Sequence, residues 1–189
     1  IRPSGVAKLI DFGISIFKNL TILDLQDNTL TIPGSYALAQ NFAQWPELIE
    51  LNVNDCLLKA KGSKIFVDKL AEVSDKSKLQ ILRLQYNELE ADSLETIVQL
   101  LPNLKELSAL ELNGNRFEED SELIEKINEI FEEKELGTLD DLDDLEEPDS
   151  DEEDEEDSDD EEAKEEAEPF EEVDERLKQL EEELAKSHI

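Results

Sequence analysis

The sequence predicts an α/β fold: a coil of stacked turns, each made of one short parallel strand and one helix. Three observations predict it. An apolar frame with a polar residue at a fixed place recurs four times between residues 20 and 117. The segments separating the copies carry a helical period rather than alternation. The acidity of the chain, net charge −34 from 52 acidic and 18 basic residues, is concentrated in one run, which leaves the part before it with the composition of a packed domain.

The four copies read Leu20-x-x-Leu23-x-Leu25-x-x-Asn28-x-Leu30, Leu48-x-x-Leu51-x-Val53-x-x-Cys56-x-Leu58, Leu79-x-x-Leu82-x-Leu84-x-x-Asn87-x-Leu89 and Leu107-x-x-Leu110-x-Leu112-x-x-Asn115-x-Phe117. Their equivalent positions Leu25, Val53, Leu84 and Leu112 recur at a period of about 30 residues. This is the leucine-rich repeat pattern. The apolar pair of each copy points inward from a short strand, and the asparagine turns inward just after it. There its amide donates to and accepts from backbone groups that would otherwise be buried without partners. Asn28, Asn87 and Asn115 are expected to form this structural ladder, with Cys56 in the same place in copy two, a thiol being a weak donor.

Between copies, "SYALAQNFAQW" brings Ala37, Leu38, Phe42 and Trp45 near one face. "KIFVDKLAEV" does the same with Phe66, Leu70 and Val73, and "SLETIVQLL" with Leu94, Ile97, Val98 and Leu101. Repeats this long leave room for a full helix, with parallel strands inside and helices outside in a ribonuclease-inhibitor-like horseshoe. Pro46 and Pro102 are expected to end two of the helices. Ile1 falls one repeat length before Leu30, so residues 1–17 read as the second half of an earlier repeat; with no methionine in the chain, it is expected to be a fragment, truncated at its amino end. After Phe117, Leu123, Ile127 and Phe131 recur at i, i+4 and i+8 behind a cap at Asp120 or Ser121, a helix expected to close the stack.

Three regions follow: a repeat domain over 1–137, a disordered acidic region over 138–168 and an amphipathic helix over 169–189. Residues 140–168 hold 21 acids and 1 base, too much charge for too little apolar surface to offset chain entropy. In the last segment Phe170, Val173, Leu177, Leu180 and Leu184 alternate at spacings of three and four, a face for its own domain or for a partner helix.

A polyanion of this kind repels nucleic acid and anionic membranes and favours basic proteins. No apolar run approaches a bilayer span, and no signal segment opens the chain. The single cysteine fits a reducing compartment. There is no glycine-rich phosphate loop and no clustering of metal ligands, so neither a cofactor nor a metal is expected. Ser150 and Ser158 lie in acid runs of the kind that acidophilic kinases phosphorylate.

The words "IRPSGV", "LDLQDNTL", "LNVNDCLL", "LRLQYNELE" and "LELNGNRFEED", in this order before an acidic run, resemble the carboxy-terminal half of fungal Ran GTPase-activating proteins. The resemblance covers residues 1–134 in detail and the tail in character. It implies a cytoplasmic regulator, at the nuclear envelope or shuttling in part, that binds Ran in its GTP form and stimulates hydrolysis for nucleocytoplasmic transport. It also implies a monomer with no catalytic chemistry of its own, joined in some complexes by a Ran-binding protein. In that family no arginine finger is supplied, and an asparagine of an earlier repeat, outside these residues, helps to orient Ran's own glutamine. Arg83 and Arg116 are therefore expected to be solvated or locally paired rather than catalytic.

Partner-binding candidates are the outward strand positions Asp24, Gln26, Asn52, Asn54, Arg83, Gln85 and Glu111 and the turn residues Asp27, Asp55 and Tyr86. They are expected to be exposed on the concave face and the strand-to-helix rim. The alternative function is an acidic leucine-rich repeat protein that binds histones or other basic proteins; its repeats are shorter than those found here.

Overall fold

The computed structural model describes residues 2–118 and 121–146. Of two compact units, Ile1–Glu152 and Glu153–Ile189, only the first contains described residues. Asp120, Ser150, Ser158, the acidic run from residue 147 and the amphipathic segment 169–189 lie outside them.

Five short strands form one parallel sheet in chain order: β1 (Ile22–Asp24), β2 (Glu50–Asn52), β3 (Ile81–Arg83), β4 (Ala109–Glu111) and β5 (Thr138–Leu139). The register places Leu23, Leu51, Leu82, Leu110 and Leu139 opposite one another. The first four of these leucines are buried. They join Leu25, Val53, Leu84 and Leu112, and then Leu30, Leu58, Leu89 and Phe117, in a single core. Parallel strands need a crossover between them, and each crossover here is a helix. The helices are α1 (Pro3–Lys8), α2 (Thr31–Asn41), α3 (Lys59–Val73), α4 (Ala91–Leu100) and α5 (Glu122–Glu133). Neighbouring helices pack in chain order. Phe42 meets Phe66 edge to face, with ring centroids 6.2 Å apart.

Short 3-10 turns finish α2, α3 and α4. Pro102 is therefore not the residue that stops α4: that helix ends at Leu100, and Pro102 sits in the following turn Leu101–Asn103, where its missing N–H costs nothing. α1 continues as a wider π-type turn over Leu9–Ile14, and the Trp45 indole donates to Ile14 O at 3.3 Å, tying this segment to the next repeat. α5 is capped by Ser121, whose hydroxyl accepts from Leu123 N.

Every strand is three residues long or less, so most of the turn backbone after it lies outside the sheet. Backbone carbonyls of the next turn accept from part of it, as Asp27 N to Asn54 O and Asp55 N to Gln85 O, and side chains supply the remaining partners. Asn87 donates to Val53 O at 2.7 Å and Gln85 O at 2.9 Å, while its Oδ1 accepts from Cys56 N and Leu58 N. Asn115 repeats the arrangement one turn later, donating to Leu84 O and Leu112 O and accepting from Asn87 N and Leu89 N. Each amide thus bonds its own turn and the preceding one. Asn28 donates within its own turn, to Leu25 O and Gln26 O. The Cys56 thiol reaches back to Leu25 O at 3.0 Å.

Two sequence-based expectations are corrected at the carboxyl end. Residues 138–146, expected to begin the disordered acidic region, instead form β5 and a return segment; and α5, expected to close the stack, is followed by this further strand. Leu136, Leu139, Leu142 and Leu145 pack half-buried against the core, and hydrogen bonds fix the segment in register. Asp140 N donates to Leu110 O, after which the Asp140 carboxylate accepts from Leu112 N at 2.8 Å and Asn113 N at 2.9 Å. In earlier turns the corresponding N–H groups of Leu25, Val53 and Leu84 go to backbone carbonyls of the next strand. A side chain therefore finishes the edge. Gly137 permits the approach, because a Cβ there would collide with the backbone carbonyl of Ser108.

Replacing Asn87 with Ala leaves two buried N–H groups and a buried carbonyl without partners, whereas Asn28→Ala removes bonds within one half-exposed turn. Chemical denaturation is expected to show a loss of about 3 kcal/mol or more for the first and about 1 kcal/mol for the second. Equal losses would mean that the amides do not link successive turns.

Candidate partner-binding face

The sheet face opposite the leucines carries polar side chains in register. Across successive strands, Asp24, Asn52, Arg83 and Glu111 stand opposite one another. One position before the turn, Gln26, Asn54, Gln85 and Asn113 repeat the series. Neighbours about 4.8 Å apart in such a ladder can bond directly, and most of these do. Asn52 donates to Gln26 Oε1 at 3.1 Å. Asn54 donates to Gln85 Oε1 at 3.0 Å and to Glu111 Oε2 at 3.4 Å, and its own Oδ1 accepts from Gln85 N.

The candidate residues therefore divide. Asp24, Gln26, Asp27, Asp55 and Tyr86 are exposed. Arg83, Gln85 and Glu111 are half-buried in the network. Asn52 and Asn54, expected to be exposed, are buried at 5% and 9% accessibility. Strands about 4.8 Å apart set the short Asn52 and Asn54 side chains beside the longer Gln26, Gln85 and Glu111, which bond to their amides.

Arg83 lies between two acids, its Nε 2.9 Å from Glu111 Oε1 and its Nη1 paired with Glu50. Arg116 pairs with Glu88 at 3.3 Å and Glu146 at 3.5 Å. Both cations are committed locally. Among the named charges of this face, the remainder are carboxylates.

The turns need unusual backbone. The residues just before the ladder positions, Asp27, Asp55, Tyr86 and Gly114, all have positive φ, at 58°, 51°, 54° and 69°. Aspartate tolerates this region and glycine is indifferent to it; tyrosine is out of place. Tyr86 lies over Gly114, where a Cβ would run into its ring. Its hydroxyl donates to Asp144 Oδ2 at 3.2 Å, a bond that, with the nearby Asp143 and Asp140 charges, raises its pKa above the ordinary phenol value.

Several residues of this face escaped the sequence reading: Glu50, Asn113, Asp140, Asp143 and Asp144. Asn113 was available from the frame, being the fourth member of the Gln26, Asn54, Gln85 series. Leu136-x-x-Leu139 stands one repeat length after Leu107-x-x-Leu110 and announces the fifth strand on which Asp140 follows. Asp140 accepts from Gln85 Nε2, and Asp143 from Asn113 Nδ2. Nothing in the acid-rich sequence distinguishes Asp143 and Asp144 from the acids around them.

Among the described residues no group of His, Cys, Asp and Glu converges as metal ligands, and no helix is long and apolar enough to cross a membrane.

No family model matches the chain. A curated relative does: Ran GTPase-activating protein 1 of Saccharomyces cerevisiae is 44% identical over 142 residues, which cover 72% of this chain and 34% of that protein. The chain is related to Ran GTPase-activating proteins. It spans about a third of the length of the curated relative it matches. The parallel sheet with its intervening helices is consistent with leucine-rich repeats.

Cys56 offers a direct check on the ladder's interior. Burial pushes its thiol up from 9.0 to about 11, with smaller contributions from Asp55, Asp27 and Asp24 and opposition from the Asn28 backbone. The unfolded chain ionises first, so stability is full below pH 9 and is lost as pH rises towards 11. The linked loss is expected to reach about 3 kcal/mol. Denaturation of wild type and Cys56→Ser between pH 8 and 11 measures it as the difference between the two slopes; parallel slopes would place the thiol in contact with solvent.

Proposed function

We propose that these residues form the rear repeats and part of the Ran-binding surface of a GTPase-activating protein for Ran. The 44% identity to Ran GTPase-activating protein 1 across most of the chain carries this reading. In it the repeats build a horseshoe-shaped solenoid, and the partner is Ran in its GTP form, met in the cytoplasm or at the nuclear envelope, with a Ran-binding protein as a further member of the complex. The partner-contacting residues are drawn from Asp24, Gln26, Asp27, Asp55, Arg83, Gln85, Tyr86 and Glu111. Asn52 and Asn54 act by holding Gln26 and Gln85 in place. The chain performs no chemistry itself.

In phosphoryl transfer the protein contributes mainly position and electrostatics. The side chain that orients Ran's glutamine belongs, on this reading, to an earlier repeat outside these residues. The acids after residue 139 steer the basic surface of the partner, which makes association salt-dependent. The histone-binding alternative accommodates the acidity but not repeats long enough to hold a full helix each.

Single-turnover GTP hydrolysis by Ran separates the components of this reading. With yeast Ran GTPase-activating protein 1 as positive control, the present chain is expected to bind Ran in its GTP form and to stimulate hydrolysis little or not at all. Robust stimulation would locate the catalytic side chain within these residues, and absence of binding would remove Ran as the partner.

A further inference from the structure

The unpartnered face of the sheet ends, at the turn after β3, in an exposed aromatic ring. Tyr86 is 45% exposed and adopts a left-handed backbone that a bulky side chain enters only when its surroundings hold it there. Gly114 supplies one side of the ring's seat, and Asp144 fixes the hydroxyl. The ring is therefore set before any partner arrives, and a rigid exposed aromatic spends little entropy on binding.

Its surroundings say what kind of group suits it. Asp144 approaches the hydroxyl from the return segment after β5, with Asp143 and Asp140 contributing negative potential at the same place. Asp55 occupies the same turn position one repeat earlier, with the same left-handed backbone. Arg83 and Arg116 are engaged with Glu50, Glu111, Glu88 and Glu146. An aromatic face with carboxylates at its edge complements an ammonium or guanidinium group, which gains both the ring quadrupole and the ion pair.

We infer that Tyr86 and Asp144 form a receptor for one Lys or Arg side chain of a protein partner that docks on the open face of the sheet. This deepens the proposed function by naming the chemistry of the contact, and it rests on that function only for the identity of the partner. The return segment after β5 thereby has a second role: besides finishing the sheet edge, it carries the receptor's anionic half. Asp140 ties that segment to Gln85, the residue next to Tyr86.

The chain contains two tyrosines, and the other, Tyr36, is 53% exposed on α2, so fluorotyrosine labelling of the full chain gives a two-signal spectrum with an internal control. Titration with a blocked glycyl-arginyl-glycine peptide is expected to move the Tyr86 signal saturably and leave the Tyr36 signal in place. The matching citrulline peptide, neutral but of similar shape, is expected to move neither. Asp144→Asn is expected to weaken the arginine response about threefold or more. A stationary Tyr86 signal, equal movement of both tyrosines, or an equal response to citrulline overturns the receptor.

Binding of Ran in its GTP form supplies the second arm. Tyr86→Ala is expected to raise Kd about tenfold and Tyr86→Phe by much less, both with unchanged circular dichroism. If wild type binds Ran and Tyr86→Ala binds equally well, the receptor falls while the proposed function stands. If wild type does not bind Ran, that function falls, and the peptide titration alone decides the receptor.

Discussion

The structure depends on one constraint: strands of only three residues must stack in parallel, and the backbone leaving them must find its partners beyond the strands, in the carbonyls of the next turn and in side chains. Leucines drive the stacking by burying apolar surface, but they cannot satisfy N–H and C=O groups. The backbone of the next turn and the inward amides do that together. Asn87 and Asn115 each bond the turn they belong to and the turn before, so every added repeat satisfies the backbone of its predecessor. Cooperativity between turns is therefore built from hydrogen bonds of fixed direction as well as from non-directional packing.

The same spacing governs the opposite face. Because the ladder brings equivalent positions into register, polar residues there bond along the sheet axis, and a row of candidates becomes a network in which Asn54, Gln85 and Glu111 hold one another. Its only named cation beside the strands, Arg83, is shared between Glu50 and Glu111. What is left to face a partner is acidic, with one ordered aromatic ring at the rim. A surface of this kind selects for complementary charge and gives on-rates sensitive to salt.

Much of this was legible in the sequence. The frame fixed which leucines face inward, because a period of two on a three-residue strand leaves little freedom, and the long repeat required helices between strands. Asn87 and Asn115, at the frame's polar position, bond neighbouring turns, whereas Asn28 at the same position bonds only its own. Exposure was harder to read: Asn52 and Asn54 are outward in the frame yet covered, since burial on a ladder depends on the length of the neighbouring side chains. The fifth strand was hidden by composition. Its Leu136 and Leu139 keep the frame, but the acids that follow look like a solvated run, and only the structure shows the Asp140 carboxylate bonded to Leu112 N and Asn113 N. Acid content alone does not separate a solvated carboxylate from one that completes a sheet edge.

The claim that inward amides weld successive turns is tested most directly by native-state hydrogen exchange at the backbone N–H groups of Cys56, Leu58, Asn87 and Leu89, all of which donate to an asparagine of the following turn. These four amides are predicted to exchange only through global unfolding, with a common free energy equal to that from denaturation. Exchange near the rate of an unprotected amide at any pair sharing one asparagine would show that the side chain does not hold its neighbours, and the ladder would lose its place as the foundation of the fold.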